Sequence, residues 1–474
     1  MTKRTILFTA AASLMLAISV MAEEDEEQIS TDFSGYASFE AGQIMKGLSS
    51  GYTAGDNPAE VRHGWVEKAE IGLYANLKIQ ENLHLIIGPE AALTTSFKLP
   101  HGGTMNDQNI NDVKPLTRFS LGRGEAIYSF GDPERAAFQV EAGYFPYKYN
   151  QDARNFGEYI FRTNCYPAYF LNKFDRPFAY LLGFRAGNIL WNNFHHDLIL
   201  NSEITEYMPA LGDFSLSYLA DYKIPGIATI GGGISLNRIF SVNQSRTAPK
   251  STNTLLRIDN AQWYHDTAFN NWTIKNGDSV FQSYGGTKLM GRLSIDLASL
   301  THLTSTGLFK SDDVVLYSEL AILGLVNYTA YNYNNVTDPA NLQIDTTHTY
   351  YNDLKARMPL AMGITLRAPY NHLDLVNFEL EYLDSKYPND YFGAFKTMTP
   401  VPPISSPHEK LKWSLYVTKY LGKHVSIIGQ MANDHYVPIT HAEVMQGGEG
   451  VQDLSDVLLR HGDWWWVLKM KCEI

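Results

Sequence analysis

The sequence predicts an all-β chain, closed into an antiparallel transmembrane barrel of about sixteen strands. Three observations predict it. Apolar and polar residues alternate with period two along most of the chain, the mark of strands with two different faces. The connections between those strands are short and long in turn. The last segment ends in alternating apolar residues. Composition agrees. Residues are 45% hydrophobic and 13% aromatic, yet mean hydropathy is only -0.22. Beyond residue 20, no apolar run reaches the roughly 18 residues a spanning helix needs. The net charge of -12 argues against a nucleic-acid partner. Two cysteines, Cys165 and Cys472, exclude a disulfide scaffold and a four-cysteine metal site.

Residues 1–22 read as a secretory leader. Lys3 and Arg4 form the basic start, Ile6 to Val20 the apolar stretch, and Val20-Met21-Ala22 the small-residue cleavage site. An acidic segment, 23–32, follows, and the barrel domain is expected over 33–474.

The strands come next. In 68–78, Ala69, Ile71, Leu73, Ala75 and Leu77 alternate with Lys68, Glu70, Gly72, Tyr74, Asn76 and Lys78. Val376, Phe378, Leu380 and Tyr382 oppose Asn377, Glu379 and Glu381. The same test places strands near 33–45, 65–79, 83–97, 117–130, 136–147, 178–190, 193–204 and 212–223. It places others near 226–240, 285–297, 312–328, 357–368, 373–385, 409–420, 423–436 and 463–474. Short connections follow the even strands, near 80–82, 131–135, 191–192, 224–225, 369–372 and 421–422. Long ones follow most odd strands; the connection near 205–211 is shorter than this rhythm expects, and the stretch 298–311 is longer.

That asymmetry fits a membrane barrel, with short periplasmic turns and long extracellular loops. In a bilayer every backbone N–H and C=O must be paired within the protein, and a closed barrel pairs them all. In the closing strand, Trp464, Trp466, Leu468, Met470, Cys472 and Ile474 share one face, with Lys469, Lys471 and Glu473 on the other. Here the chain resembles Gram-negative outer-membrane barrels, whose last strand ends in alternating apolar residues read by the assembly machinery. It departs from them at Ile474, where an aromatic residue is usual. The resemblance implies outer-membrane location, with lipid, lipopolysaccharide and the barrel-assembly machinery as partners.

Barrels of about sixteen strands leave an aqueous channel. The architectural resemblance is therefore to porins, and it implies passive diffusion of small hydrophilic solutes and a homotrimer. In general porins the loop after the fifth strand folds inward and narrows the pore. Here that loop is 148–177, and the expected constriction residues are Arg154, Glu158, Arg162, Lys173, Asp175 and Arg176. Strand parity points Lys68, Glu70, Glu90, Glu141, Arg185, Arg292, Glu319, Arg367, Glu379, Glu381, Lys412, Lys469 and Lys471 into the lumen. Such charges are tolerated at membrane depth where they face water.

Two other readings share part of the pattern. Tyrosines in the outer loops, such as Tyr328, Tyr331, Tyr333, Tyr350 and Tyr351, would suit a saccharide-selective channel. A secreted soluble β-protein binding carbohydrate would also alternate, but without the short–long rhythm. No HExxH helix is present. Gly231-Gly232-Gly233 lies in a strand, where a thin wall or a bend is expected. His195 and His196 are adjacent on a strand and face opposite sides. The reading calls for no enzyme, no organic cofactor and no metal.

Overall fold

The computed structural model describes residues 30–49, 59–96, 104–105, 114–131, 138–161, 171–173, 178–191, 193–202, 213–241, 272–275, 278–281, 286–323, 354–367, 372–384, 409–433 and 461–474. The leader 1–22 and the tyrosines of 328–351 lie outside these residues.

Sixteen strands close one antiparallel barrel. The first eight are β1 (Ser30–Ser49), β2 (Ala59–Gln80), β3 (Leu83–Ser96), β4 (Lys114–Phe130), β5 (Phe138–Tyr147), β6 (Phe178–Trp191), β7 (Phe194–Ser202) and β8 (Asp213–Ile224). The rest are β9 (Ala228–Ser241), β10 (Gly286–Asp296), β11 (Val314–Ile322), β12 (Leu360–Leu366), β13 (Leu375–Tyr382), β14 (Leu411–Tyr420), β15 (Val425–Ala432) and β16 (Trp464–Glu473). Each pairs with its successor, and β1 pairs with β16 from Tyr36↔Glu473 to Lys46↔Trp464. Both termini therefore sit at one end of the barrel, the terminal end, and the other is the loop end. Two short pieces, Thr104–Met105 and Leu171–Lys173, attach to β2 and β6.

Two boundaries differ from the periodicity. β1 starts at Ser30, so residues 30–32 of the acidic segment belong to the first strand. The long connection at 298–311 holds a helical turn, α1 (Leu297–Leu300), and a 3₁₀ turn, Leu303–Thr306. The Asp296 carboxylate caps α1 by accepting from the Ser299 N–H at 3.1 Å, which satisfies a donor the helix leaves orphaned.

The two faces of the wall differ as lipid and water require. Phe39, Ile71, Leu73, Phe184, Leu198, Ile230, Leu316, Leu320, Met362, Ile364, Phe378, Leu468 and Met470 are exposed on the outer face. Aromatic rings stand near both rims. Phe33, Tyr128, Phe130, Tyr222 and Tyr420 lie toward the terminal end, and Trp65 packs edge-on against Trp466 at 5.7 Å toward the loop end. Amphipathic rings are placed this way at the two interfaces of a bilayer. The alternate positions carry Glu40, Lys68, Glu70, Glu90, Glu141, Asp197, Glu319, Glu379 and Glu381, all buried.

Candidate functional site

β5 does not end in a surface loop. Residues 148–161 run through the barrel interior and bind strands on a distant arc of the wall. Glu379 of β13 accepts from the backbone N–H groups of Arg154 (2.7 Å), Asn155 (2.7 Å) and Phe156 (3.2 Å), and from the Tyr317 hydroxyl (2.6 Å). Glu319 of β11 accepts from the N–H groups of Glu158 and Tyr159, each at 2.9 Å, and from the Tyr149 hydroxyl at 2.6 Å. The Tyr159 hydroxyl donates to Glu381 at 2.6 Å. Arg367 pairs with Asp152, and the Arg154 guanidinium lies over the Tyr416 ring of β14.

The chemistry of this docking is specific. Peptide N–H groups in an irregular loop have no ladder partner, and buried carboxylates need donors. Each supplies what the other lacks. Glu158, in the left-handed region at φ 61, turns its own carboxylate back on the N–H groups of Tyr149 (3.0 Å) and Asn150. Burial, and then the charge of Glu319, hold the Tyr149 phenol protonated well above its ordinary range. Burial and then Glu381 do the same for Tyr159. Both remain donors.

Apolar packing completes the anchor. Phe156, Ile160 and Phe161 of the loop join Phe145, Leu181, Ile199, Leu219, Met290, Ala321 and Ala361 in one buried cluster on the inner face of the wall. This part of the interior is packed rather than water-filled.

Next to the loop, the wall carries a row of charges set by register. His195, Asp221, Gly231, Arg292, Glu319, Ala361, Glu381 and Lys412 are successive cross-strand partners from β7 to β14. Arg292 bonds Asp221 at 2.7 Å, reaching across β9. A Cβ on Gly231 would lie 2.7 Å from the Arg292 Nε, so a side chain there would push the guanidinium off this path. Tyr317 crosses β12 to Glu379 over Gly363 in the same way. His195 stands 3.4 Å from Asp221 and 3.5 Å from Asp197. Asp197 also takes Arg185 at 2.9 Å and the Tyr147 hydroxyl at 2.7 Å. Arg185 continues to Glu141 at 3.1 Å. Beneath residues 148–152, Tyr147, Arg185, His195, Asp197, Asp221 and Arg292 line a cavity of about 840 Å³ that reaches the turns of the terminal end at Gly226 and Asp312.

Of the residues expected in the constriction, Arg154 and Glu158 lie in the inward loop. Arg162, Asp175 and Arg176 lie outside the described residues, as does the Lys173 side chain. On the wall, Lys68 pairs with Glu70 at 3.6 Å, Lys412 with Glu381 at 3.4 Å and Lys469 with Glu40 at 3.2 Å. Glu90 accepts from the Tyr74 hydroxyl at 2.5 Å. Lys471 pairs with Glu473 and lies over the Tyr36 ring. The sequence reading missed Asp197 and Asp221. Both alternate with outward apolar residues and were open to the parity test that found Glu379. His195 faces the cavity, and His196 faces outward beside Tyr218. Gly47-Leu48-Ser49-Ser50-Gly51 spells the G-x-S-x-G pattern of a nucleophile elbow. Its Ser49 lies within β1, paired with Ala59, and Ser50 and Gly51 lie outside the described residues.

No family model matches the chain, and no curated protein matches it in sequence. Among solved structures, the chain is similar to Salmonella typhi OmpF in complex with daunomycin, at 11% identity, 94% of this chain, 97% of that one and a TM-score of 0.43. It is similar to Pseudomonas putida OprB at high pH, at 10% identity, 94% of each chain and a TM-score of 0.46. A variant of Rhodopseudomonas blastica porin aligns at 6% identity, over 94% of this chain and all of that one, with a TM-score of 0.39. These likenesses are coarse. The barrel's own register and faces define its architecture.

Proposed function

We propose that the protein is an outer-membrane channel through which small hydrophilic solutes diffuse. One observation carries the reading: a closed ring of sixteen strands, apolar outside and charged inside, holds its fifth loop within its own interior. A soluble sandwich has no use for an exposed band of Leu, Ile and Phe around its girth. A membrane protein needs one. The inward loop, pinned to β11 and β13, narrows the passage and sets the size limit, with Arg154 and Glu158 at the narrowing.

The leader exports the chain, the assembly machinery inserts it, and lipid with lipopolysaccharide surrounds it. The outer face of β1–β3 carries Gly35, Ala37, Ala41, Ala69, Ala75 and Ala91, with polar Gln43 and Glu67 among them. These small and polar positions, set between the exposed Phe39, Ile71 and Leu73, offer a surface on which subunits of a homotrimer can pack. Liposome swelling with sugars of graded mass tests the main reading. Rates that fall smoothly with solute size support a general pore. Saturable preference for one saccharide would replace it with a selective channel.

A further inference from the structure

We propose that the cavity beneath the inward loop is a binding station for small zwitterions, solutes that carry a carboxylate and an ammonium group as amino acids do. The inference rests on the channel reading and names a class of solute for it.

The cavity presents both signs of charge, and presents them already matched. Arg292 is held by Asp221, Arg185 by Asp197, and His195 stands between the two aspartates. The chain of contacts runs without a break from Glu141 on β5 to Arg292 on β10. Glycine at Gly231 is what allows its last link. Such a wall treats solutes unequally. A lone anion that takes Arg292 leaves Asp221 with only His195 beside it in a half-buried site, and a lone cation that takes Asp221 strips Arg292 of its carboxylate. Both leave a charge less well compensated, which is costly. A neutral polyol has nothing to offer either ion strongly enough to displace its partner. A zwitterion replaces both partners at once, carboxylate on guanidinium and ammonium on carboxylate. Because Arg292 reaches over β9, its guanidinium lies 2.7 Å from the Asp221 carboxylate, so charges on one carbon can address both groups together. The cavity, about 840 Å³, accommodates a small amino acid with several waters.

The test compares two isomers, glycine and glycolamide, which share a formula and differ in that only glycine is a zwitterion. Purified full-length protein in liposomes is presented with each in turn, and swelling is followed over a range of concentrations. Glycine flux is expected to saturate and, at low concentration, to exceed that of glycolamide about tenfold, the worth of one charge-assisted hydrogen bond. The double variant Asp221→Asn with Arg292→Gln removes both charges at nearly constant shape and is expected to bring the two rates together. Equal, unsaturated rates in the unmodified protein would overturn the zwitterion station while leaving the channel intact. No swelling with either isomer would overturn the station and the channel together. The unmodified comparison decides the matter even where the variant fails to fold.

Discussion

Replacing Glu379 by Gln asks whether the inward loop is held by its charge. The carboxylate receives four hydrogen bonds, three of them from backbone N–H groups that cannot turn away. An amide has one acceptor atom and one donor. Its better orientation directs the NH₂ at the Tyr317 hydroxyl, which can rotate to accept, and at the Arg154 N–H, which cannot. One charge-assisted bond is then lost outright and the two N–H bonds from Asn155 and Phe156 fall from charged to neutral strength. Against this, a neutral group is cheaper to bury. The balance is a loss of about 2–4 kcal/mol of docking free energy, or roughly 30- to 1,000-fold in the docking equilibrium. Single-channel recording reads it directly. The variant is expected to show larger and noisier conductance steps than the unmodified protein, while still running as a folded barrel on an unboiled gel. Steps and noise indistinguishable from the unmodified protein would refute the claim that Glu379 pins the loop across the pore.

Other outcomes follow from the same geometry. Leu468→Arg, on the outer face of β16, should cost about 2–4 kcal/mol if it lies near the bilayer midplane, seen as a lower unfolding midpoint in lipid. Gly231→Val places a side chain against Arg292 and should cost about 1–3 kcal/mol by overpacking, together with loss of the Asp221 contact, measured in the same way. Trp466→Ala should lower thermal stability by about 1 kcal/mol through the lost Trp65 contact and leave conductance unchanged. Asp374, in the terminal-end turn before β13, is held below the usual carboxylate range chiefly by the Tyr420 N–H that donates to it at 2.7 Å. Its stabilisation is complete at neutral pH and disappears as pH falls through that depressed value. Asp374→Asn should therefore flatten the most acidic part of the stability–pH curve and change little at pH 7.

Much of this architecture is written in short-range pattern. The alternation in Leu375–Tyr382 separates Phe378 and Leu380 from Asn377, Glu379 and Glu381, and the folded strand keeps that partition, because lipid accepts one set and the interior the other. Loop-length rhythm carried the strand count for a similarly plain reason: turns at the terminal end only reverse the chain. One exception, 298–311, proved to be a capped helical turn, and one Asp–Ser contact is too local to show in a rhythm of lengths; the other, near 205–211, lies outside the described residues. What one strand's alternation does not contain is register between strands. The reach of Arg292 over Gly231 to Asp221 depends on three strands aligned to the residue, as does the path of Tyr317 over Gly363 to Glu379. The docking of Arg154, Asn155 and Phe156 on Glu379 joins positions more than 200 apart in sequence through backbone N–H groups, which every residue but proline carries. No side-chain pattern announces such a bond.

The most direct measurement is the current through single molecules of the purified protein in a planar lipid bilayer bathed in potassium chloride. A closed barrel, lipid-facing outside and wet within, predicts discrete, uniform conductance steps as each molecule inserts. Folded protein that enters the bilayer and adds no current would contradict it.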